Sequence, residues 1–149
     1  MEKYKVDLIS LKVCRERSSE FSGYQLSNPD NAYKVIREFV GDTDREYFGV
    51  CLLNAVNKIN SIQICSIGTL SECVVHPREV FKSAIMMNSS KIILFHTHPS
   101  NASHPSKDDI SITKKLIECS KLLDIPILDH IIICDDNYYS FAQYDILTF

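Results

Sequence analysis

The sequence predicts an α/β protein in which helices pack on the faces of a mixed β-sheet. Segments with strand-like and helix-like patterns of apolar residues follow one another in the order β-α-β-β-α-β-α-β-β. The 149 residues suit one domain with one core, and no internal repeat or biased tract divides them. We therefore expect a single ordered domain over residues 1–149.

The first two predicted elements are a strand and a helix. Residues 4–15 alternate weakly between polar and apolar types, which is typical of a half-buried strand. After a polar stretch, Asn28 and Pro29 mark a helix start, because asparagine is a favourable N-cap and proline suits the first helical position. The apolar face of this helix continues to Gly41, where we expect the helix to end.

The middle of the chain combines a hairpin, a helix and a buried strand. Residues 46–54 and 59–68 are rich in β-branched and aromatic types and flank the turn-like AVNK, so they predict a β-hairpin. The His-Pro pair at 76–77 opens a second helix. Residues 91–95 form a short apolar run, typical of a strand buried on both faces, and this run leads directly into His96.

The last third of the chain predicts one helix and a second hairpin. Ser106 begins a helix whose apolar residues recur at helical spacing as far as Leu123. Residues 127–134 and 138–142 flank an Asp-Asp-Asn turn and predict a second pair of strands. These elements complete the expected mixed sheet.

Composition and charge exclude several classes of function. The chain carries a net charge of −3 and its basic residues are scattered, whereas a nucleic-acid-binding protein usually has a basic stripe. The charge pattern therefore does not support direct binding to nucleic acid. The sequence shows no signal-peptide pattern, no run of about 18 uncharged apolar residues, and no CxxC pair among its six cysteines. We expect a cytoplasmic protein with free thiols and no membrane contact.

The segment FHTHPSNASHPSKDD concentrates groups that bind metals. Side chains two residues apart on an extended strand point to the same side, so His96 and His98 can present their imidazoles to one ion. Asp109 follows eleven residues after His98, and the loop between them allows it to return as a third ligand. Ser106 stands three residues before Asp109, which also predicts a helix capping box.

Two imidazoles and one carboxylate form a ligand set typical of catalytic zinc, because a closed structural site needs a fourth protein ligand. The open position holds water, whose pKa zinc lowers towards about 7, and zinc also polarises a carbonyl. Such a water needs a general base. Glu46, at the head of a predicted strand, is the candidate, although spacing alone does not select it from the 19 acidic residues.

These motifs resemble the JAMM (JAB/MPN) metalloprotease signature, in which an upstream glutamate is followed by H-x-H-P, a serine and, three residues later, an aspartate. Within that superfamily the chain resembles the RadC-like JAB domain over roughly residues 25–145. The similar blocks, in order, are REYFGVCLLN, SIGTL, VHPREVFKSAI, HTHPS, PS-x-x-D and ILDHIII. The resemblance implies a three-layer α-β-α fold related to that of cytidine deaminases.

The same resemblance implies roles for five residues. The family's zinc ligands correspond to His96, His98 and Asp109, its catalytic glutamate to Glu46, and its transition-state-stabilising serine to Ser106. RadC-like proteins usually read HNHPSG where this chain reads HTHPSN, and a histidine is added in the following loop. We expect these differences to affect loop shape and substrate fit but not metal binding. Full-length relatives commonly carry an N-terminal helix-hairpin-helix-like region, which we expect to be absent here.

Each candidate residue also has a purely structural interpretation. Ser106 could act only as a helix cap, and both of its roles could hold together. Glu46 could be a solvated strand end. His130, alone among apolar residues, fits a buried and hydrogen-bonded core histidine better than a group that supports a metal ligand or contacts substrate. We expect His76 to start a helix and His104 to lie exposed in a loop.

Other enzyme classes with an HxH motif fit less well. Amidohydrolase barrels need about 250 residues, histidine-triad hydrolases need a third histidine where this chain has Ser100, and zinc deaminases need a PCxxC motif. Two hypotheses remain, and neither specifies an oligomeric state. One is a zinc-dependent peptidase or isopeptidase that acts on a peptide or protein substrate. The other is a non-catalytic, metal-containing binding module in a DNA-repair or mobile-element context.

Overall fold

The computed structural model describes residues 3–21, 25–69 and 73–149, and these residues form five strands and three helices. In chain order the elements are α1 (Pro29–Val40), β1 (Tyr47–Leu53), β2 (Ile59–Ile67), α2 (Pro77–Met86), β3 (Lys91–Thr97), α3 (Lys107–Leu123), β4 (Ile127–Ile133) and β5 (Tyr138–Ser140). Both predicted hairpins and all three predicted helices are present.

The five strands form one mixed sheet in the order β2-β1-β3-β4-β5. The pair β3 and β4 is parallel, whereas the other three pairs are antiparallel. A parallel pair needs a long crossover between its strands, and α3 provides it. The expected α/β class with a mixed sheet is therefore confirmed.

Helices cover both faces of the sheet, which makes the fold a three-layer α-β-α arrangement. Alternate residues of β1 show the division: Val50 and Leu52 pack in one apolar cluster with residues of α2 and α3. Cys51 and Leu53 point to the other face and pack with residues of α1. Side chains alternate across a strand, so both faces of β1 are buried, as its apolar sequence requires.

Local capping signals set the ends of the helices. The side chain of Asn28 accepts a hydrogen bond of 2.8 Å from the backbone N–H of Asn31, and Pro29 occupies the first helical position. Gly41 ends α1 with a φ of 69°, in the left-handed region that favours glycine. His76 precedes α2 as its N-cap residue, although its side chain makes no capping hydrogen bond.

The predicted first strand over residues 4–15 is wrong. No strand forms in this segment, and its large apolar side chains are exposed, Leu8 fully so. A strand is stable only beside a partner, and no strand of the described residues pairs with this segment. The alternation of residue types is present, but no strand of the described residues lies beside the segment.

The six cysteines all belong to the described residues, and none forms a disulfide. Cys51 and Cys134 are buried, as expected of small apolar side chains, but Cys14 is exposed. Burial raises the pKa of the Cys65 thiol to about 12. Within the described part of the chain, no helix is both long enough and apolar enough to cross a membrane.

Candidate metal centre

Three elements meet at the candidate site: the start of β1, the end of β3 and the start of α3. Phe48 of β1 pairs directly with His96 of β3 in the antiparallel register. Glu46 lies two residues before Phe48, so it reaches the same face of the sheet as His96. Asp109, in the first turn of α3, approaches this face because α3 covers it.

The structure brings Glu46, His96, His98 and Asp109 together. Nε2 of His96 lies 3.2 Å from a carboxylate oxygen of Glu46, and its Nδ1 lies 3.0 Å from Oδ1 of Asp109. Nε2 of His98 lies 3.5 Å from Oδ2 of Asp109, and the two imidazole rings are 4.7 Å apart. The Glu46 side chain, with 12% of its surface exposed, is the least buried of the four.

Three members of this group, Glu46, His96 and His98, could together hold a metal ion. Donor atoms of Glu46, His96 and His98 lie within 4.8 Å of one another, and the carboxylate of Asp109 is closer still to both histidines. Nδ1 of His96 is buried and makes no aligned hydrogen bond, although Oδ1 of Asp109 lies 3.0 Å away. Imidazole nitrogens and carboxylate oxygens are the ligands that zinc and similar ions bind.

A hydrogen bond to the backbone orients the imidazole of His98 as a potential metal ligand. Its Nδ1 lies 2.6 Å from the backbone oxygen of Ala102. A carbonyl oxygen can only accept, so Nδ1 carries the proton and donates it. Nε2, which lies 3.5 Å from Oδ2 of Asp109, is then the nitrogen left to bind a metal.

The two carboxylates control the charge of His96 in the metal-free protein. Burial lowers the pKa of His96, but its contacts with Asp109 and Glu46 outweigh burial and raise the pKa to about 9. For Asp109, burial raises the pKa, yet the neighbouring histidines and the Ser106 backbone N–H together hold it well below its usual range. In the metal-free protein the two carboxylates therefore favour the protonated form of His96.

Ser106 and Asp109 form the predicted capping box. Ser106 donates to Oδ2 of Asp109 through both its backbone N–H, at 2.7 Å, and its hydroxyl, at 2.8 Å. The backbone N–H of Asp109 donates in return to the Ser106 hydroxyl, at 3.0 Å. These bonds fix one carboxylate oxygen and leave Oδ1 facing His96. The capping role of Ser106 is confirmed, and its catalytic role stays a prediction.

A buried pair beside the site, Thr113 and His130, was not recognised as a pair from the sequence. The hydroxyl of Thr113 lies 2.5 Å from the backbone oxygen of Asp109 and 2.7 Å from Nδ1 of His130. His130 has no exposed surface, and burial lowers its pKa to about 3. The prediction of a buried, hydrogen-bonded core histidine is confirmed. The position of Thr113, four residues after Asp109 on α3, was the available signal.

Thr97, between the two histidines, supports the segment that carries Glu46. Its hydroxyl accepts a hydrogen bond of 2.9 Å from the backbone N–H of Tyr47 and lies 3.4 Å from the backbone oxygen of Arg45. Thr97 thus contacts the backbone on both sides of Glu46. In the sequence this threonine stands out only as a departure from a family motif.

The two remaining histidines lie outside the group. His104 is exposed in the loop before α3, with its ring 6.0 Å from that of Tyr139, so the prediction for this residue is confirmed. His76 lies at the start of α2, also as predicted.

Comparison with known proteins connects this site to a family. The family model of the RadC-like JAB domain matches residues 26–146. A UPF0758 protein of Alkaliphilus metalliredigens is 45% identical over 126 residues, which cover 85% of this chain and 54% of the relative. One of Caldanaerobacter subterraneus is 42% identical with the same coverage, and one of Methanosarcina mazei is 44% identical over 116 residues, 78% of this chain and 51% of the relative. The chain spans about half the length of these relatives.

Proposed function

Because the chain belongs to the RadC-like JAB domain family, within the JAMM superfamily, we propose that it is a zinc-dependent hydrolase that cleaves an amide bond as a peptidase or isopeptidase. One observation carries the proposal: two histidines and two carboxylates from three separate elements converge in a single buried group. Such a cluster of charged groups is costly to bury without a ligand that compensates it.

In this proposal His96, His98 and Asp109 hold the ion and Glu46 remains free for chemistry. We assign these roles according to which side chains are held in place by hydrogen bonds. Ser106 fixes the carboxylate of Asp109 and Ala102 fixes the ring of His98, whereas the one side-chain hydrogen bond of Glu46 with the described residues is to His96. A ligand gains from being fixed in place, while a proton carrier has to move between two partners.

Bound zinc supplies a Lewis acid that activates water and polarises a carbonyl. Glu46 acts as the general base that takes a proton from the attacking water and returns it to the departing amine. Its partial exposure suits this role because substrate and water have to reach it. Ser106 stabilises the negative charge that develops on the carbonyl oxygen, provided that its hydroxyl turns away from Asp109 when substrate binds.

The proposed substrate is a peptide or protein. Nucleic acid is not part of the proposal, because the chain carries a net charge of −3. A cytoplasmic location is part of it, and the six unpaired cysteines support that location.

The experiment that tests the proposal replaces Glu46 by Gln in the zinc-loaded chain. Peptide and isopeptide libraries first identify a substrate that the unmodified chain cleaves. The rate on that substrate should fall about 10²–10⁴-fold in Glu46→Gln, because the amide lacks a basic oxygen, while the zinc content should stay the same. Glu118→Gln is the matched control, since Glu118 is exposed and lies nine residues, about 13 Å of helix, beyond Asp109 on α3. A Glu46→Gln protein with wild-type turnover refutes the mechanism.

The second hypothesis, a binding module, makes the opposite prediction for the same libraries. Stoichiometric zinc without hydrolysis of any library member by the unmodified chain would favour it over the enzyme.

A further inference from the structure

The segment of residues 4–13 exposes an unusual amount of apolar surface. Six of its ten side chains are large and apolar, and their exposed fractions range from 49% to 103%. These are Tyr4, Val6, Leu8, Ile9, Leu11 and Val13. Single exposed apolar side chains are common, but a contiguous set of this size indicates a surface that another molecule covers.

The order of these residues suits a strand with one irregularity. Tyr4, Val6 and Leu8 alternate with polar residues, and Ile9, Leu11 and Val13 alternate in the opposite phase. A β-bulge at Leu8 and Ile9 would add one residue and place all six side chains on the same face. The segment therefore has the pattern of a strand that lacks a partner within the described chain.

The outer edge of β2 is a complementary feature of the same molecule. β2 lies at one end of the sheet and is nine residues long, with neither a proline nor a charged residue in INSIQICSI. Within the described residues, only the isolated bridge between Gln25 and Lys58 continues the sheet beyond this edge, and it lies before the strand begins. Natural edges usually carry lysine, proline or a cover, because a bare edge accepts further strands.

In the structure the segment does not pair with its own β2. Arg17 donates to the backbone oxygen of Phe39 near the end of α1, and its guanidinium lies over the Phe39 ring. Further along the chain, Gln25 and Leu26 contact the residues just before β2 of the same copy. Residues 4–13 nevertheless pair with no strand of the described chain, so a second copy is the remaining source of a β2 edge within this protein.

Charge favours the same arrangement. Residues 3–17 contain five basic and two acidic side chains, a net charge of +3, although the whole chain carries −3. The remaining residues therefore carry −6. Residues 4–13 themselves carry +1, and their neighbours in the range 3–17 supply the rest. The basic N-terminal stretch attracts the acidic body of another copy and speeds their association.

We propose that residues 4–13 of one copy add as a strand to the outer edge of β2 in a second copy, and that the exchange is reciprocal in a symmetric dimer. The lengths match, since ten residues of strand span about 33 Å and β2 has nine residues. Backbone hydrogen bonds along the edge give affinity, as in other strand additions. Two such strands extend the contact towards the roughly 1,200–2,000 Å² that a stable interface buries.

The first test measures the mass of the full chain in solution by light scattering at about 50 μM, well above the roughly micromolar dissociation constants of weak complexes. The unmodified chain should have twice the 17.0 kDa mass of one copy. The double variant Leu8→Ser and Leu11→Ser, which keeps the net charge, should be monomeric. Its melting temperature should equal that of the monomer of the unmodified chain. Leu122→Ser is the matched control, because Leu122 is equally exposed on α3, and it should remain dimeric.

The second test locates the contact by hydrogen exchange. Backbone amides in residues 4–13 and 59–67 should be protected together in the dimer, and both stretches should lose protection in the double variant. A monomeric unmodified chain overturns the proposal, since it leaves another protein as the partner of the segment. A dimer that survives the double substitution, or that leaves residues 59–67 unprotected, overturns it equally.

Discussion

The hydroxyl of Thr113 lies 2.7 Å from Nδ1 of His130, and this contact determines the proton position on a buried histidine. The same hydroxyl lies 2.5 Å from the backbone oxygen of Asp109, which can only accept, so Thr113 donates to it. Nδ1 of His130 must then donate to Thr113. A neutral histidine on β4 thereby fixes the first turn of α3, which carries Asp109.

We predict that Thr113→Val destabilises the protein by about 1–3 kcal/mol, because Nδ1–H of His130 stays buried without an acceptor. Thr113→Ser retains the hydroxyl and should lose less stability. Zinc affinity should fall about 10–100-fold in the valine variant, as for other residues that orient a metal ligand. Urea unfolding and a zinc titration give the two values. Ser120→Ala, which removes a buried hydroxyl elsewhere on α3, controls for the loss of a hydroxyl, and equal zinc affinity in both variants would contradict the prediction.

One zinc ion should bind per chain. His96→Ala and Asp109→Ala should each lose it during dialysis against a mild chelator, because two remaining protein ligands hold zinc poorly. Asp109→Asn should weaken binding as well, since a neutral amide oxygen is a poorer ligand than a carboxylate. Mass spectrometry of the metal content measures occupancy. His104→Ala should keep its zinc, and full occupancy in His96→Ala would show that the ligands were assigned wrongly.

The metal-free protein should lose stability as the pH rises from about 6.5 to about 9. The pKa of His96 is raised from 6.5 to about 9 in the folded state, so its stabilising charge is complete below the lower value and is lost through the higher one. The slope should approach about 1.4 kcal/mol per pH unit, the value for one proton. Asp109, whose pKa is lowered, affects stability only as the pH falls through its usual value of 3.8 and below. The unfolding free energy should fall more steeply with pH in the native chain than in His96→Gln. Parallel plots of unfolding free energy against pH would contradict a contribution from His96.

Gly49 should not tolerate a side chain. A Cβ there would lie 2.2 Å from Cζ of Phe95 and 2.7 Å from the backbone oxygen of Gln63. Phe95 is fully buried, so neither neighbour can move freely. Gly49→Ala should cost about 1–3 kcal/mol through overpacking. Adding Phe95→Leu should recover part of that cost in a thermal melt, since it removes the closest atoms, and an additive loss in the double variant would argue against the clash.

The sequence alone determined those features whose signals are local. Asn28 and Gly41 bound α1 because capping depends on a few adjacent backbone groups. The capping box of Ser106 and Asp109, and the proximity of His96 to His98, follow from spacing within one turn or one strand. For the same reason both hairpins were predictable from residue types and turn residues.

Tertiary structure decided the features that depend on distant partners. Spacing did not select Glu46 from the 19 acidic residues, and only the family resemblance did; the pairing of Phe48 with His96 is what places it beside the histidines. Residues 4–15 alternate like a strand, but no strand of the described chain accepts them. Residue pattern specifies which backbone can form a strand and which face is apolar, whereas pairing and register depend on elements far away in the chain.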